Sequence, residues 1–353
     1  MSNGLDDLIV ADTAISHSDA QNARLWVRGR PLEEVVQVLG YEGTVALLWS
    51  GLAGENLTRD EVGARLAVGR RRAFDRLDGW LAETEGRSFN EATRVCLANV
   101  ADDSDPFEIV ASLAVGVAAI VRFRQGLSLV PSDPALTTPA DFLLMMSGEM
   151  PAPDRVRALE TYFTVAVENG LGPSTFAARI TASTGASLTS AAVAAYCAFS
   201  GPLHGGAPGD VLAMLDVAKQ SGDVDGWLDR KLAAGERLVG FGNRAFPNGD
   251  PRAALLAEAL SKITRDNERI RFAADFERRA LAAFARQKPG RTLRPNLELN
   301  AALLLDACGI PEAAFTPTFA VARVAGWLAH AMEQKQTGRM IRPKSRYVGP
   351  ALS

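Results

Sequence analysis

At 353 residues the chain exceeds the roughly 250–300 residues at which a single core stops growing, so two domains are expected. Apolar residues make up 47%, as in a globular protein, and 38 basic against 41 acidic side chains leave a net charge of −3. That balance argues against a nucleic-acid surface and a polybasic membrane anchor, which leaves small molecules as the expected partners.

In chain order, Met1 to Asp7 carry neither the basic nor the apolar region of a signal peptide, and a reduced cytoplasm is the expected compartment. The longest apolar run, Ile109 to Val121, falls short of the roughly 20 residues that span a bilayer. Pro131 to Pro139 and Gly148 to Pro153 read as loops. Between Phe176 and Gly201 the chain is dominated by Ala, Ser, Thr and Gly, which suits helices that approach closely or a subunit contact. Thr316 and Pro317 read as the cap and first turn of a helix with Ala320, Val324, Trp327, Leu328 and Ala331 on one face, burying Trp327. Apolar residues recur every three to four positions in most segments, and alternation never persists beyond a few residues. The fold class is therefore all-α.

Cys96, Cys197 and Cys308 stand alone, which predicts buried thiols, no disulfide framework and no metal centre. His17 and His330 lack metal-ligand spacing and read as structural. The third histidine, His204, differs: it sits in the glycine turn Gly201-Pro202-Leu203-His204-Gly205-Gly206-Ala207, where the backbone can approach a ligand closely. Asp210 and the apolar positions Val211, Leu212, Leu215 and Ala218 begin a helix just after it.

Three further segments follow: Gly240-Phe241-Gly242-Asn243-Arg244 with Asp250-Pro251-Arg252, then Arg294-Pro295-Asn296-Leu297-Glu298, then Arg342-Pro343-Lys344. With Asp250 as cap and Pro251 in the first turn, Arg252 places a cation at the positive end of a helix, unfavourable by about 0.3–1 kcal/mol unless an anion offsets it.

In this order and spacing the segments resemble the citrate synthase family, short bacterial type, over nearly the whole chain. The resemblance implies a two-domain helical fold: residues 1–203 and 312–353 form a large dimerising domain, and residues 204–311 form a small domain that closes over the substrates. It implies an acyltransferase that condenses a short acyl-CoA with a 2-oxo acid and releases CoA, with the CoA thioester as substrate and no tightly bound cofactor or metal. By residue, it implies His204 on the thioester oxygen, Glu298 as base at the α-carbon, and Ser174 orienting His204. Arg252 and Arg342 would grip carboxylates, and Gly240, Phe241, Gly242 and Arg244 would hold the coenzyme. A homodimer is the expected assembly, and one with a longer citrate synthase is the alternative, in which this chain is a CoA-binding paralogue or partner subunit.

The chain departs from the family pattern within that pocket. Asn243 stands where members that use oxaloacetate carry a histidine on the ketone, Asn169 replaces a second histidine, and Glu298 adds a methylene to the usual aspartate. Pro247 replaces a lysine, and the C-terminal arm that in relatives delivers an arginine to the neighbouring subunit's site is expected to be absent, with one carboxylate partner missing. A neutral amide is a weaker donor, about 0.5–1.5 kcal/mol against 1.5–3 for a charged one, so altered substrate specificity is expected.

Overall fold

The computed structural model describes residues 8–53, 56–205, 207–243, 246–263, 267–290 and 292–350. Near the N-terminus, β1 (Ser16–Asp19), β2 (Arg24–Val27) and β3 (Arg30–Pro31) pair antiparallel in that order, with His17 opposite Trp26 and the side chains of Leu25 and Val27 buried. Helices follow: α1 (Leu32–Val38), α2 (Gly40–Trp49), α3 (Arg59–Asp75), α4 (Phe89–Ala98), α5 (Pro106–Arg124), α6 (Thr138–Ser147), α7 (Pro153–Ala166), α8 (Pro173–Ser183), α9 (Leu188–Phe199), α10 (Ala207–Gln220), α11 (Val224–Ala233), α12 (Pro251–Ser261), α13 (Glu268–Gln287), α14 (Leu297–Ala307) and α15 (Phe315–Thr337). The fold is all-α with one small added sheet.

Local chemistry sets many of these starts. Thr58 with Glu61, and Ser88 with Glu91, form reciprocal capping boxes at α3 and α4, and Asp105 with Pro106 opens α5. Thr138 and Pro139 belong to the first turn of α6 rather than to the preceding loop, because proline is well suited to that position. Helix α5 is apolar on every side and is enclosed by α3, α4, α6 and α15. Its 19 residues are long and apolar enough to cross a membrane, yet 78% of that window is buried inside the protein, which makes it a core helix.

Helix α15 is the second core element, packed on α2, α5, α7, α8 and α9, with Trp327 fully buried as expected. Its start differs from the sequence reading. The helix begins at Phe315 after Ala314, and Thr316 does not cap it; the Thr316 hydroxyl instead donates to the Gly205 carbonyl at 2.9 Å. Cys197 is another correction, being exposed while Cys96 and Cys308 are buried.

Helices α10 to α14 pack on one another: α10 on α11 and α14, α11 on α13, and α12 on α14. They meet the remaining helices mainly where α12 and α14 touch α7 and where α10 touches α15. The candidate site lies along this seam.

Candidate active site

Helix α9 ends at Phe199, and the chain turns through His204 under close steric control. Gly205 N donates to the Phe199 carbonyl at 2.8 Å, and a Cβ at Gly205 would lie 2.6 Å from that oxygen, so only glycine fits. The Phe199 ring meets the imidazole edge-on at 5.1 Å. Ser174, buried in the first turn of α8, has its Oγ 2.8 Å from His204 Nε2 and 3.1 Å from Trp327 Nε1.

An indole nitrogen only donates, so Trp327 gives its hydrogen to Ser174 Oγ, whose own hydrogen and second lone pair both remain for His204 Nε2. A serine that donates to Nε2 leaves the imidazole hydrogen on Nδ1. Burial, reinforced by the Arg323 cation, pushes the His204 pKa down to about 4, so the ring is neutral near pH 7. The result is a neutral imidazole held by three elements.

A second cluster is built from two crossing segments. Gly242 N donates to the Arg294 carbonyl at 2.8 Å, Asn296 N donates to the Gly240 carbonyl at 2.9 Å, and Phe241 bridges Pro295. Asn296 Oδ1 caps α14 by accepting from Glu298 N, while its Nδ2 donates to the Gly242 carbonyl and to Glu298 Oε2. The glycine loop and Glu298 are thus locked together. Burial raises the Glu298 pKa, with help from the nearby Asp250 and Asp210 charges, against the lowering effects of Asn296 and Arg252.

Asp250 caps α12 and serves two site residues at once. It accepts from Arg252 N, Nε and Nη2 at 3.0, 2.9 and 2.7 Å, and from Asn243 Nδ2 at 2.8 Å. The anion that offsets Arg252 at the helix end is therefore this carboxylate. Burial opposes its ionisation, but Arg252 and Asn243 outweigh that and hold the Asp250 pKa below the usual range.

A fully buried arginine on α15, Arg323, acts on both clusters. Its guanidinium acts electrostatically on His204, Glu168, Tyr162 and Arg252; Nε donates to the Ala166 carbonyl, and Nη2 has no partner. Burial pushes its pKa down to about 10, still far above neutrality. Behind it, Glu168 Oε1 accepts from Ser16 Oγ and Gly170 N and faces His330 Nε2 at 3.2 Å, and His330 Nδ1 lies 2.8 Å from Arg179 Nη1. Arg179 is anchored in turn by Glu333 and Gln334. His330 is structural, as expected, and its contacts stiffen the segment that carries Asn169.

The family profile described as "Citrate synthase, C-terminal domain" matches residues 4–344. The chain belongs to the citrate synthase family. The citrate synthase of Haloferax volcanii is 32% identical, covering 99% of this chain and 96% of its own. A 2-methylcitrate synthase of Mycobacterium tuberculosis is also 32% identical, covering 98% and 90%. Among solved structures, citrate synthase from Thermotoga maritima superposes with a TM-score of 0.87 at 29% identity, over 100% of this chain and 97% of that one. The Thermoplasma acidophilum enzyme, solved with carboxymethyl coenzyme A and oxaloacetate, shares the fold at a TM-score of 0.85 and 23% identity, over 100% and 97%.

Within this citrate synthase fold, the residues singled out from sequence are placed unequally. His204 and Ser174 form one cluster and Glu298, Asn243, Arg252 and the Gly240–Gly242 loop form another, with Arg323 acting on His204 in the first and on Arg252 in the second. Gly240 and Gly242 adopt φ of 84° and 76°, which favours glycine, and Phe241 lies 6.3 Å from Phe276. Asn169 is half-buried in the loop before α8. Arg244 lies outside the described residues. Arg342 is not gathered into this chain's site: it is exposed in an extended segment whose Ile341 N is tied to Ser183 at the far end of α8 from Ser174.

Sequence reading missed Arg323. The signal was present, since Arg323 lies three residues after Ala320 and four before Trp327, a charge on an otherwise apolar helix face. A cation on a core stripe needs a reason.

Proposed function

We propose that this citrate synthase family member condenses a short acyl-CoA with a 2-oxo acid. Glu298 takes the proton from the carbon next to the thioester, while His204 Nδ1–H hydrogen-bonds the thioester oxygen as negative charge develops there. The enolate carbon attacks the ketone carbon of the oxo acid, forming the carbon–carbon bond, and the ketone oxygen becomes a hydroxyl. Asn243 donates an amide hydrogen to that oxygen. Arg252 and Arg323 hold carboxylate, since guanidinium is a planar cation with forked donors. Water then cleaves the C–S bond, giving a new carboxylate and free CoA thiol.

The single observation that carries this reading is the neutral imidazole held by Ser174, itself bonded to Trp327, beside the buried Arg323. In this reading residues 204–311 close over the substrates, and the Gly240–Gly242 loop with Arg244 binds the coenzyme. The working assembly is a homodimer in which the exposed Arg342 serves the neighbouring copy. Replacement of histidine by Asn243 and Asn169 weakens activation of the ketone, so an oxo acid other than oxaloacetate is the better substrate.

The test is CoA release, followed with a thiol reagent, across a panel of acyl-CoAs and 2-oxo acids. Turnover of one pair by the purified homodimer supports the proposal. Absence of turnover with every pair, or turnover only after a longer citrate synthase is added, rejects it in favour of a partner-subunit role.

A further inference from the structure

We propose that the Tyr162 phenol is a specificity-determining contact to the 2-oxo acid, donating its O–H to a carboxylate oxygen held beside the Arg323 guanidinium. This rests on the condensing reading above and assigns one more residue to its acid subsite. Tyr162 is fully buried on α7, the helix that packs against both α12, which carries Arg252, and α15, which carries Arg323. Its ring lies 6.1 Å from Phe319, and the Arg323 guanidinium lies 5.3 Å from the centre of that same ring. Phe319 then stacks edge-on to Phe199 at 4.8 Å, and Phe199 meets His204. Phenol, guanidinium and imidazole therefore flank one aromatic wall.

Among the described residues, five buried side-chain polar atoms have no hydrogen-bond partner, and three of them are Tyr162 Oη, Arg323 Nη2 and Glu168 Oε2. These three side chains interact electrostatically through Arg323, and Arg252 acts on both Tyr162 and Arg323. A buried hydroxyl without a partner is costly, and so is a buried guanidinium hydrogen. Here two donors are left without acceptors in the same neighbourhood. What would satisfy both is an acceptor with negative charge, because Asp250 offsets Arg252 whereas the Arg323 guanidinium hydrogen-bonds a backbone carbonyl and leaves Nη2 without a partner. Among the described residues the acidic side chain acting on Arg323 is Glu168, whose Oε1 is committed to Ser16, Gly170 and His330 and whose Oε2 hydrogen-bonds neither the phenol nor the guanidinium. A carboxylate brought by the substrate fits the gap.

The phenol would select by direction and polarity. It offers one hydrogen along a fixed line, so it favours acids whose carboxylate reaches between α7 and α15 and discriminates against esters or alcohols of the same length.

The experiment compares the wild type with Tyr162→Phe, using calorimetric binding of oxaloacetate, pyruvate and 2-oxoglutarate, KM for each substrate, and ligand-free thermal melting. The expected result is roughly ten- to hundredfold weaker binding of the preferred oxo acid, the loss of one hydrogen bond to a charged group. KM for the acyl-CoA stays unchanged, and the ligand-free melting temperature is equal or higher, because the phenol has no protein partner to lose. Unchanged oxo-acid binding in the variant overturns the proposal, as does a wild type that binds none of the three acids. A lowered ligand-free melting temperature also overturns it, since that marks a phenol bonded within the protein. Binding that weakens in the variant while no pair turns over supports the contact and rejects only the condensation reading.

Discussion

On the His204 side of the site, each group is held by partners that a ligand does not replace: Trp327 fixes Ser174, Ser174 fixes the imidazole, and Thr316 with Phe199 fixes the turn. On the Glu298 side the groups hold one another, with Arg252 and Asn243 sharing the Asp250 carboxylate and Asn296 attending to Glu298. In the proposed reaction the first cluster is a preorganised donor that needs no rearrangement as charge develops. The second would trade contacts when substrate arrives, so its ionisation and geometry are the adjustable part. The same proposal puts specificity on that second cluster, where Asn243 and Glu298 depart from the family pattern, and on Tyr162.

The largest effect is expected at the base. Glu298→Gln keeps the shape but cannot take a proton, so kcat for CoA release should fall by about 10²–10⁴-fold with little change in melting temperature. A loss smaller than tenfold would break the assignment of the second cluster as the proton acceptor.

Gly326→Ala probes the joint between the clusters. A Cβ there would lie 2.0 Å from the Val167 carbonyl and 3.0 Å from Glu168 Oε2, so α15 and the 166–168 segment must move apart. Overpacking of this kind costs about 1–3 kcal/mol, measurable as a lower denaturation midpoint, and weaker oxo-acid binding should accompany it through Arg323.

Ser174→Ala sharpens the account of the first cluster. It leaves the buried Trp327 N–H without its acceptor, a loss of about 1–3 kcal/mol in stability, and it frees the imidazole tautomer. The kcat should drop while KM for the oxo acid holds, and an unchanged kcat would show that the tautomer is set elsewhere.

The smallest effect is electrostatic. Glu298 must be ionised to act, and its pKa is raised first by burial and then by Asp250 and Asp210. Asp210→Asn removes one repelling charge, so the acid limb of kcat/KM against pH should move to lower pH. His204, depressed to about 4, stays neutral throughout the neutral range and adds no limb there. A shift to higher pH, or none, would sever Asp210 from the site.

Read from sequence, the helical class followed from three-to-four residue spacing, which is a local property, and the glycine turn around His204 announced a tight approach that the Phe199 carbonyl explains. Loop boundaries at Gly148 and Pro153 were equally local. The β-strands escaped notice because Leu25 and Val27 alternate over too short a span. Thr316 was misread because a hydroxyl before proline is a good cap in isolation, whereas here it reaches a carbonyl 111 positions away.

By itself the sequence determined what depends on neighbours along the chain: helices, caps, the glycine turn and the motif order that marks the family. Only the tertiary structure decided that Ser174 and Trp327 meet at His204, that Asp250 is the anion at Arg252, that Arg323 and Tyr162 both lie against Phe319, and that Arg342 is exposed away from them. Those outcomes hinge on groups far apart in sequence, where burial strips away water and leaves each donor to whichever acceptor the packing brings near.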